Sequence, residues 1–165
     1  NIGDSFIGLK VMQKKYVMGN KLKNYFVNKY YCPDIPYNFS KHLFSFANTS
    51  IDISDGLISD MLRLINSQKL SFSIDVGKIP ISKKLNDYLK KHNKPKNKLV
   101  FNGDDYQILF TSSKSNRLRI RTIANKLNQK VTIIGKINDG YKKNLLKEGN
   151  KSLKLSNFKG YSHKF

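Results

Sequence analysis

Asp52 and Asp55 lie in the stretch Asn48-Thr49-Ser50-Ile51-Asp52-Ile53-Ser54-Asp55-Gly56-Leu57-Ile58-Ser59-Asp60, two carboxylates close enough in sequence to share one cation. Mg²⁺ takes oxygen ligands, commonly one or two carboxylates completed by phosphate oxygens. A second acidic pair, Asp104 and Asp105, follows Asn102-Gly103 and opens the apolar run Tyr106-Gln107-Ile108-Leu109-Phe110. No Ser-His or Cys-His arrangement accompanies them. Clustered aspartates of this kind suit metal-assisted phosphoryl transfer, where the difficulty is to bring polyanions together and hold them in line. The plainer alternative is that Asp55 caps a helix, Asp52 faces solvent, and Asp104 and Asp105 form a turn.

The surrounding pattern predicts what positions these side chains. Ile51 and Ile53 alternate with Asp52 and Ser54, the period of a strand. Gly56 breaks the alternation, and Leu57, Ile58, Met61, Leu62 and Ile65 recur at helical spacing. The two carboxylates therefore belong to a strand-to-helix turn. Ser54 or Asp55 is the expected cap of a helix whose first N–H groups favour anions. Asp60, one turn on, reads as a solvated helix residue, with a supporting role behind the carboxylates as the alternative. Residues 106–111 read as a strand with Tyr106, Ile108 and Phe110 on one face.

Elsewhere, helices are predicted over residues 5–15, capped by Asp4 or Ser5, over 21–31, ending before Pro33, and briefly over 40–47. A strand is expected at 71–76 and a helix capped by Ser82 up to about Lys91. Residues 92–98 read as a loop, 116–127 as a helix with Leu118, Ile123 and Leu127 on one stripe, and 131–137 as a strand. Asn138-Asp139-Gly140 signals a turn. Two short strands near 143–146 and 152–155 are joined by Gly149-Asn150. This mixture of βα units and a terminal hairpin predicts an α/β or α+β sheet domain.

A length of 165 residues suits one domain with a sizeable core. The single cysteine, Cys32, excludes an internal disulfide and a cysteine-based zinc site, and reads as a partly buried thiol. No run approaches the roughly 20 apolar residues of a membrane span, so the expected location is the cytoplasm and no membrane partner is expected. The net charge of +20 invites a nucleic-acid reading. Yet 27 lysines are scattered against 4 arginines, alongside 18 asparagines, a mix closer to compositional drift in an AT-rich genome than to a phosphate-binding surface. No nucleic-acid partner is expected. Arg117, Arg119 and Arg121 read as a solvated edge, with an anion site as the alternative. The chain starts at Asn1 without an initiator Met, and is expected to be a piece of a longer protein or one whose first half is lost.

Taken together, Ile51 to Leu57, Gly103 to Phe110 and the terminal Gly160-Tyr161-Ser162-His163-Lys164-Phe165 resemble the C-terminal half of thiamine-monophosphate kinase, in the aminoimidazole-ribonucleotide-synthetase-like superfamily. That family carries Ile-Asp-x-Ser-Asp-Gly-Leu, then Gly-Gly-Glu/Asp-Asp-Tyr-Glu-Leu-Leu-Phe, and ends near Gly-aromatic-x-His-Phe. Gly3 to Leu9 also resembles its Gly-Asp-Ser-Ala-x-Gly-Leu segment. The resemblance implies a layered α/β/α domain, packed in the family against an N-terminal ATP-binding and dimerisation domain that this chain lacks. It implies ATP- and Mg²⁺-dependent phosphorylation of thiamine monophosphate to thiamine diphosphate, with this chain forming one wall of the active site and a homodimer formed through the other half.

By the same resemblance Asp52 and Asp55 would be Mg²⁺ ligands, and Ser54 would contact ATP through its hydroxyl or backbone. Asp104 would hydrogen-bond the thiamine end of the substrate, and Tyr161 would stack on it. Asn102 and Gln107 depart from the family's Gly and Glu. Three readings compete: another superfamily member such as aminoimidazole ribonucleotide or selenophosphate synthetase, an inactive remnant, and a basic RNA-binding module.

Overall fold

The computed structural model describes residues 1–66, 68–140, 143–153 and 155. The elements run α1 (Asp4–Met12), α2 (Asn20–Tyr31), α3 (Tyr37–Ser40), β1 (Thr49–Ile53), α4 (Leu57–Leu64), β2 (Leu70–Asp75), α5 (Lys83–Lys91), β3 (Gln107–Thr111), α6 (Arg117–Lys126), β4 (Gly135–Asp139), β5 (Leu145–Glu148) and β6 (Lys151–Leu153). The strands form two sheets. β1 and β3 pair antiparallel, and a second sheet has the order β4-β2-β5-β6, in which only β2 and β5 run parallel.

The alternation in β1 works as its sequence predicts. Ile51 and Ile53, with Leu109 across the register, face a core shared with Leu57, Ile58 and Met61 of α4, Phe72 and Ile74 of β2 and Leu146 of β5. The other face, carrying Ile108 and Phe110, packs on Phe39, Phe46 and the Ile120, Ile123 and Ala124 side of α6. The β1–β3 ribbon thus has apolar contacts on both faces, while Ser50 and Asp52 on the second face stay exposed. Phe110, Phe39 and Phe46 form a tilted aromatic trio there, with ring centroids 5.4–6.0 Å apart. A third cluster, Ile7, Val11, Phe26, Leu85, Leu89 and Leu99, ties α1 and α2 to α5. Ser82 caps α5 as expected, accepting the Leu85 N–H at 3.0 Å.

Several expectations are corrected. Helix α1 is capped neither by Asp4 nor by Ser5. Gly3 holds the cap position, and both acidic and hydroxyl side chains are buried inside the helix's first turn. Leu118 is exposed rather than part of the packed stripe, because α6 is buried only along Ile120, Ile123 and Ala124. A 3-10 helix over Lys96–Phe101 begins inside the stretch 92–98 predicted as a loop. The strand expected from 131 begins only at Gly135, where pairing with β2 starts. Cys32 is exposed. Among the described residues, no helix is long and apolar enough to cross a membrane.

Candidate functional site

The two aspartate segments, about fifty residues apart in sequence, are joined backbone to backbone. The Asp104 N–H donates to the Ser54 carbonyl and the Tyr106 N–H to the Ile53 carbonyl, each at 2.9 Å. These bonds carry the β1–β3 pairing past its last ladder pair, Ile53 with Gln107. They also hold Asp104 (φ 66°) and Tyr106 (φ 48°) in the left-handed region. That conformation costs an L-residue about 1–2 kcal/mol, and Asp tolerates it better than Tyr. Tyr106 is therefore not part of the strand proper, which starts at Gln107.

Two glycines make the close approach possible. A Cβ on Gly103 would lie 1.7 Å from the Ser54 carbonyl oxygen, and one on Gly56 (φ 117°) would lie 2.8 Å from the Phe101 carbonyl carbon. Asn102, by contrast, has an extended backbone any residue adopts, and its side chain donates to the Lys98 carbonyl at 2.6 Å. The departure from a Gly-Gly pair thus falls at the position that does not need glycine.

Asp52 is exposed on the sheet face it shares with Ile108. Asp55 is partly buried at the turn into α4, and its carboxylate is paired with Arg63. Asp104 sits beside Asp55, its pKa raised first by burial and then by the negative charge of Asp55. That mutual repulsion puts the two carboxylates in one electrostatic neighbourhood, which a cation would relieve. The Ser54 N–H and carbonyl are both occupied, by Asp60 and by the Asp104 N–H, so its hydroxyl is what Ser54 can offer a ligand.

Neither Ser54 nor Asp55 caps α4. Gly56 holds the cap position, and Asp60 reaches back from inside the helix to accept the N–H groups of Ser54, Asp55 and Gly56. Asp60 is completely buried, not solvated. Its position three residues beyond Leu57 on an apolar helix was the available signal, since that spacing points it inward.

Asp105 does a different job from Asp104. It is buried and accepts the Gly3 N–H at 2.8 Å, so the cap missing from the start of α1 is supplied from 102 residues further along the sequence. Asp4 turns inward to receive the Ser82 hydroxyl at 2.7 Å and the Tyr25 hydroxyl at 2.9 Å. The cavity bordered by Asp4, Ser5, Lys29, Asp34, Asp105 and Gln107 has about 10 Å³, room for one water rather than a ligand.

Burial pushes Asp105 up to about 7, with the Gly3 N–H pulling down and the Asp4 carboxyl pushing further up. An acid whose folded pKa exceeds its unfolded one binds more protons when folded, so its contribution to stability falls as pH rises from about 4 to about 7. We expect wild type to lose on the order of 3 kcal/mol relative to Asp105→Asn over that interval. Urea unfolding of both proteins at about pH 4 and about pH 7 checks this, and an equal pH response in the two would contradict it.

Among the described residues, no group of three or more His, Cys, Asp or Glu side chains could enclose a metal ion. The acidic cluster instead suits an ion that brings phosphate oxygens and waters as its remaining ligands. Arg117, Arg119 and Arg121 lie exposed on α6, and Arg119 donates to the Ser45 carbonyl at 2.7 Å. They form no part of this cluster. Tyr161, His163 and Phe165 lie outside the described residues.

Comparison with known proteins agrees with the motifs. The chain is 37% identical over 143 residues to the thiamine-monophosphate kinase of Buchnera aphidicola subsp. Schizaphis graminum, a match covering 86% of this chain and 44% of that protein. It belongs to the thiamine-monophosphate kinase family. The enzyme of that name from the Acyrthosiphon pisum subspecies of Buchnera is 34% identical over 82% of this chain and 42% of its own length. A solved structure described as AaThiL complexed with AMPPCP and TMP superimposes with a TM-score of 0.76 at 27% identity, over 99% of this chain and 49% of that one. The chain therefore spans about half the length of the thiamine-monophosphate kinases it matches, and it has their mixed α/β fold, as the sequence predicts. No protein-family model matches the chain.

Proposed function

We propose that this chain supplies one wall of a site where ATP phosphorylates thiamine monophosphate to thiamine diphosphate. The observation that carries the reading is the backbone junction of the two aspartate segments, which sets Asp104 beside Asp55 and the Ser54 hydroxyl. The relationship to thiamine-monophosphate kinases supports the choice of substrates, as does the binding of AMPPCP, an ATP analogue, with TMP by a structural relative.

In the reaction, an oxygen of the thiamine monophosphate phosphate attacks the γ-phosphorus of ATP. The bond from that phosphorus to the bridging oxygen breaks, and ADP leaves with the electron pair. The acceptor is already anionic, so no strong general base is required. Asp52 and Asp55 would hold Mg²⁺ together with phosphate oxygens, and the bound ion would supply the positive charge that lets the two polyanions meet. Ser54 contacts the nucleotide through its hydroxyl. Asp104 accepts a hydrogen bond from the thiamine end, and Tyr161 stacks on it.

The remaining metal ligands, most of the nucleotide site and the dimer contact belong to an N-terminal half. The cytoplasm, where ATP is at hand, is the location this reading implies.

The test is reconstitution. The chain, joined to the other half of the Buchnera relative, is given ATP, Mg²⁺ and a panel of acceptors that includes thiamine monophosphate and the substrates of aminoimidazole ribonucleotide and selenophosphate synthetases. Turnover confined to thiamine monophosphate is expected. Turnover of another acceptor, with thiamine monophosphate ignored, overturns the assignment.

A further inference from the structure

The carboxyl of Asp60 is committed to the turn that carries the candidate metal ligands. One oxygen, Oδ2, accepts from the Ser54 N–H at 3.0 Å and from the Asp55 and Gly56 N–H groups at 3.1 Å each. The other, Oδ1, receives Arg63 Nη1 at 3.3 Å, and the same Nη1 is paired with the Asp55 carboxylate. Asp60 has no exposed surface. A carboxylate in that position is costly unless fully bonded, and here, among the described residues, its bonds lead to residues 54–56 and to the arginine that holds Asp55.

Three consecutive N–H groups converging on one oxygen fix the backbone at Ser54, Asp55 and Gly56. They thereby fix where the Ser54 hydroxyl and the Asp55 carboxylate emerge. The same arrangement fills these donors from within the protein, so an incoming phosphate does not find them free. Anion binding at this turn must then rely on a cation rather than on the backbone of residues 54–56. Burial raises the Asp60 pKa above its ordinary value, and the N–H groups and Arg63 work against that rise.

We propose that Asp60 is the positioning residue of this site: it sets the turn that aims Asp55 and the Ser54 hydroxyl, and through Arg63 it holds the Asp55 carboxylate ready for a divalent cation. This rests on the reading of Asp52 and Asp55 as metal ligands. Loss of a group that orients a metal ligand through another residue typically weakens metal binding about 10–100-fold.

The experiment compares wild type with Asp60→Asn in the chain joined to the other half of the Buchnera relative, with AMPPCP present to supply phosphate oxygens. Mn²⁺ is titrated while its paramagnetic broadening of amide signals near Asp52 and Asp55 is followed, and amide hydrogen exchange is recorded in parallel. Asn keeps the shape of the side chain but not its charge. The expected result is Mn²⁺ binding at least about tenfold weaker in the variant, with faster exchange at Ser54, Asp55 and Gly56 and unchanged exchange in β2 and α5. A folded variant that binds Mn²⁺ within about twofold of wild type overturns the proposal, because a purely structural role would leave the affinity alone.

Wild type that binds no Mn²⁺ near Asp52 and Asp55 overturns the metal reading and this proposal together, and is told apart because the failure is in the unaltered protein. If the variant does not fold, wild-type exchange decides. Slow exchange at the three amides upholds the clamp, and exchange at the rate of unstructured backbone overturns it.

Discussion

Gly103→Ala is expected to cost the fold about 3 kcal/mol or more, the range reached when a substitution forces backbone apart. The added methyl would stand 1.7 Å from the Ser54 carbonyl oxygen and 2.6 Å from its carbon. Neither is the end of a flexible side chain that can swing away. Relief requires the segment 103–106 to lift off the end of β1, which breaks the Asp104-to-Ser54 and Tyr106-to-Ile53 hydrogen bonds. Denaturant unfolding of Gly103→Ala beside Asn102→Gly measures the asymmetry. Asn102→Gly removes only one side-chain bond to the Lys98 carbonyl and should cost about 1 kcal/mol. Equal costs at the two positions would show that the close approach of the two aspartate segments is not as described.

Asp55→Asn should have the opposite profile, with little effect on stability and a large one on activity. Its partner Arg63 is more than half exposed, and ion pairs of that kind contribute about 1 kcal/mol or less. In the reconstituted enzyme, however, the variant loses a charge that the reaction places against the phosphates. The expected drop in kcat/KM is about 10²–10³-fold, the scale seen when one preorganised electrostatic group is removed. Steady-state kinetics with Asp55→Asn, together with its urea midpoint, separates the two effects. A variant that retains most of its activity would remove Asp55 from the metal site.

The strand-turn-helix at residues 49–64 could be read from the sequence because its signals are local. Ile51 and Ile53 alternate, Gly56 interrupts, and Leu57, Ile58 and Met61 mark the buried side of α4. The same holds for Ser82 at the head of α5. What the sequence did not disclose depends on groups brought together from a distance. The cap of α1 comes from Asp105, 102 residues further along the chain, which leaves Asp4 to face Ser82 and Tyr25. Nothing within a few residues of Asp4 signals that exchange.

Asp60 is an intermediate case. Its inward spacing could be read, but its three N–H partners lie in the turn before the helix, and only the folded backbone shows them converging. Likewise, the motif spacing brought out Asp52, Asp55 and Asp104 as candidates. It could not show that Asp104 and Asp55 are neighbours, or that the Ser54 backbone is already occupied.

The most direct test of the central claim is thiamine diphosphate formation by this chain joined to the other half of a thiamine-monophosphate kinase, with Asp52→Asn as the control. Asp52 is exposed, so its substitution should leave the fold intact and report on chemistry alone. ATP- and Mg²⁺-dependent product is expected from the unaltered chain, with its loss in the control. Absence of product from the unaltered, folded assembly, or equal product from the Asp52→Asn assembly, would contradict it.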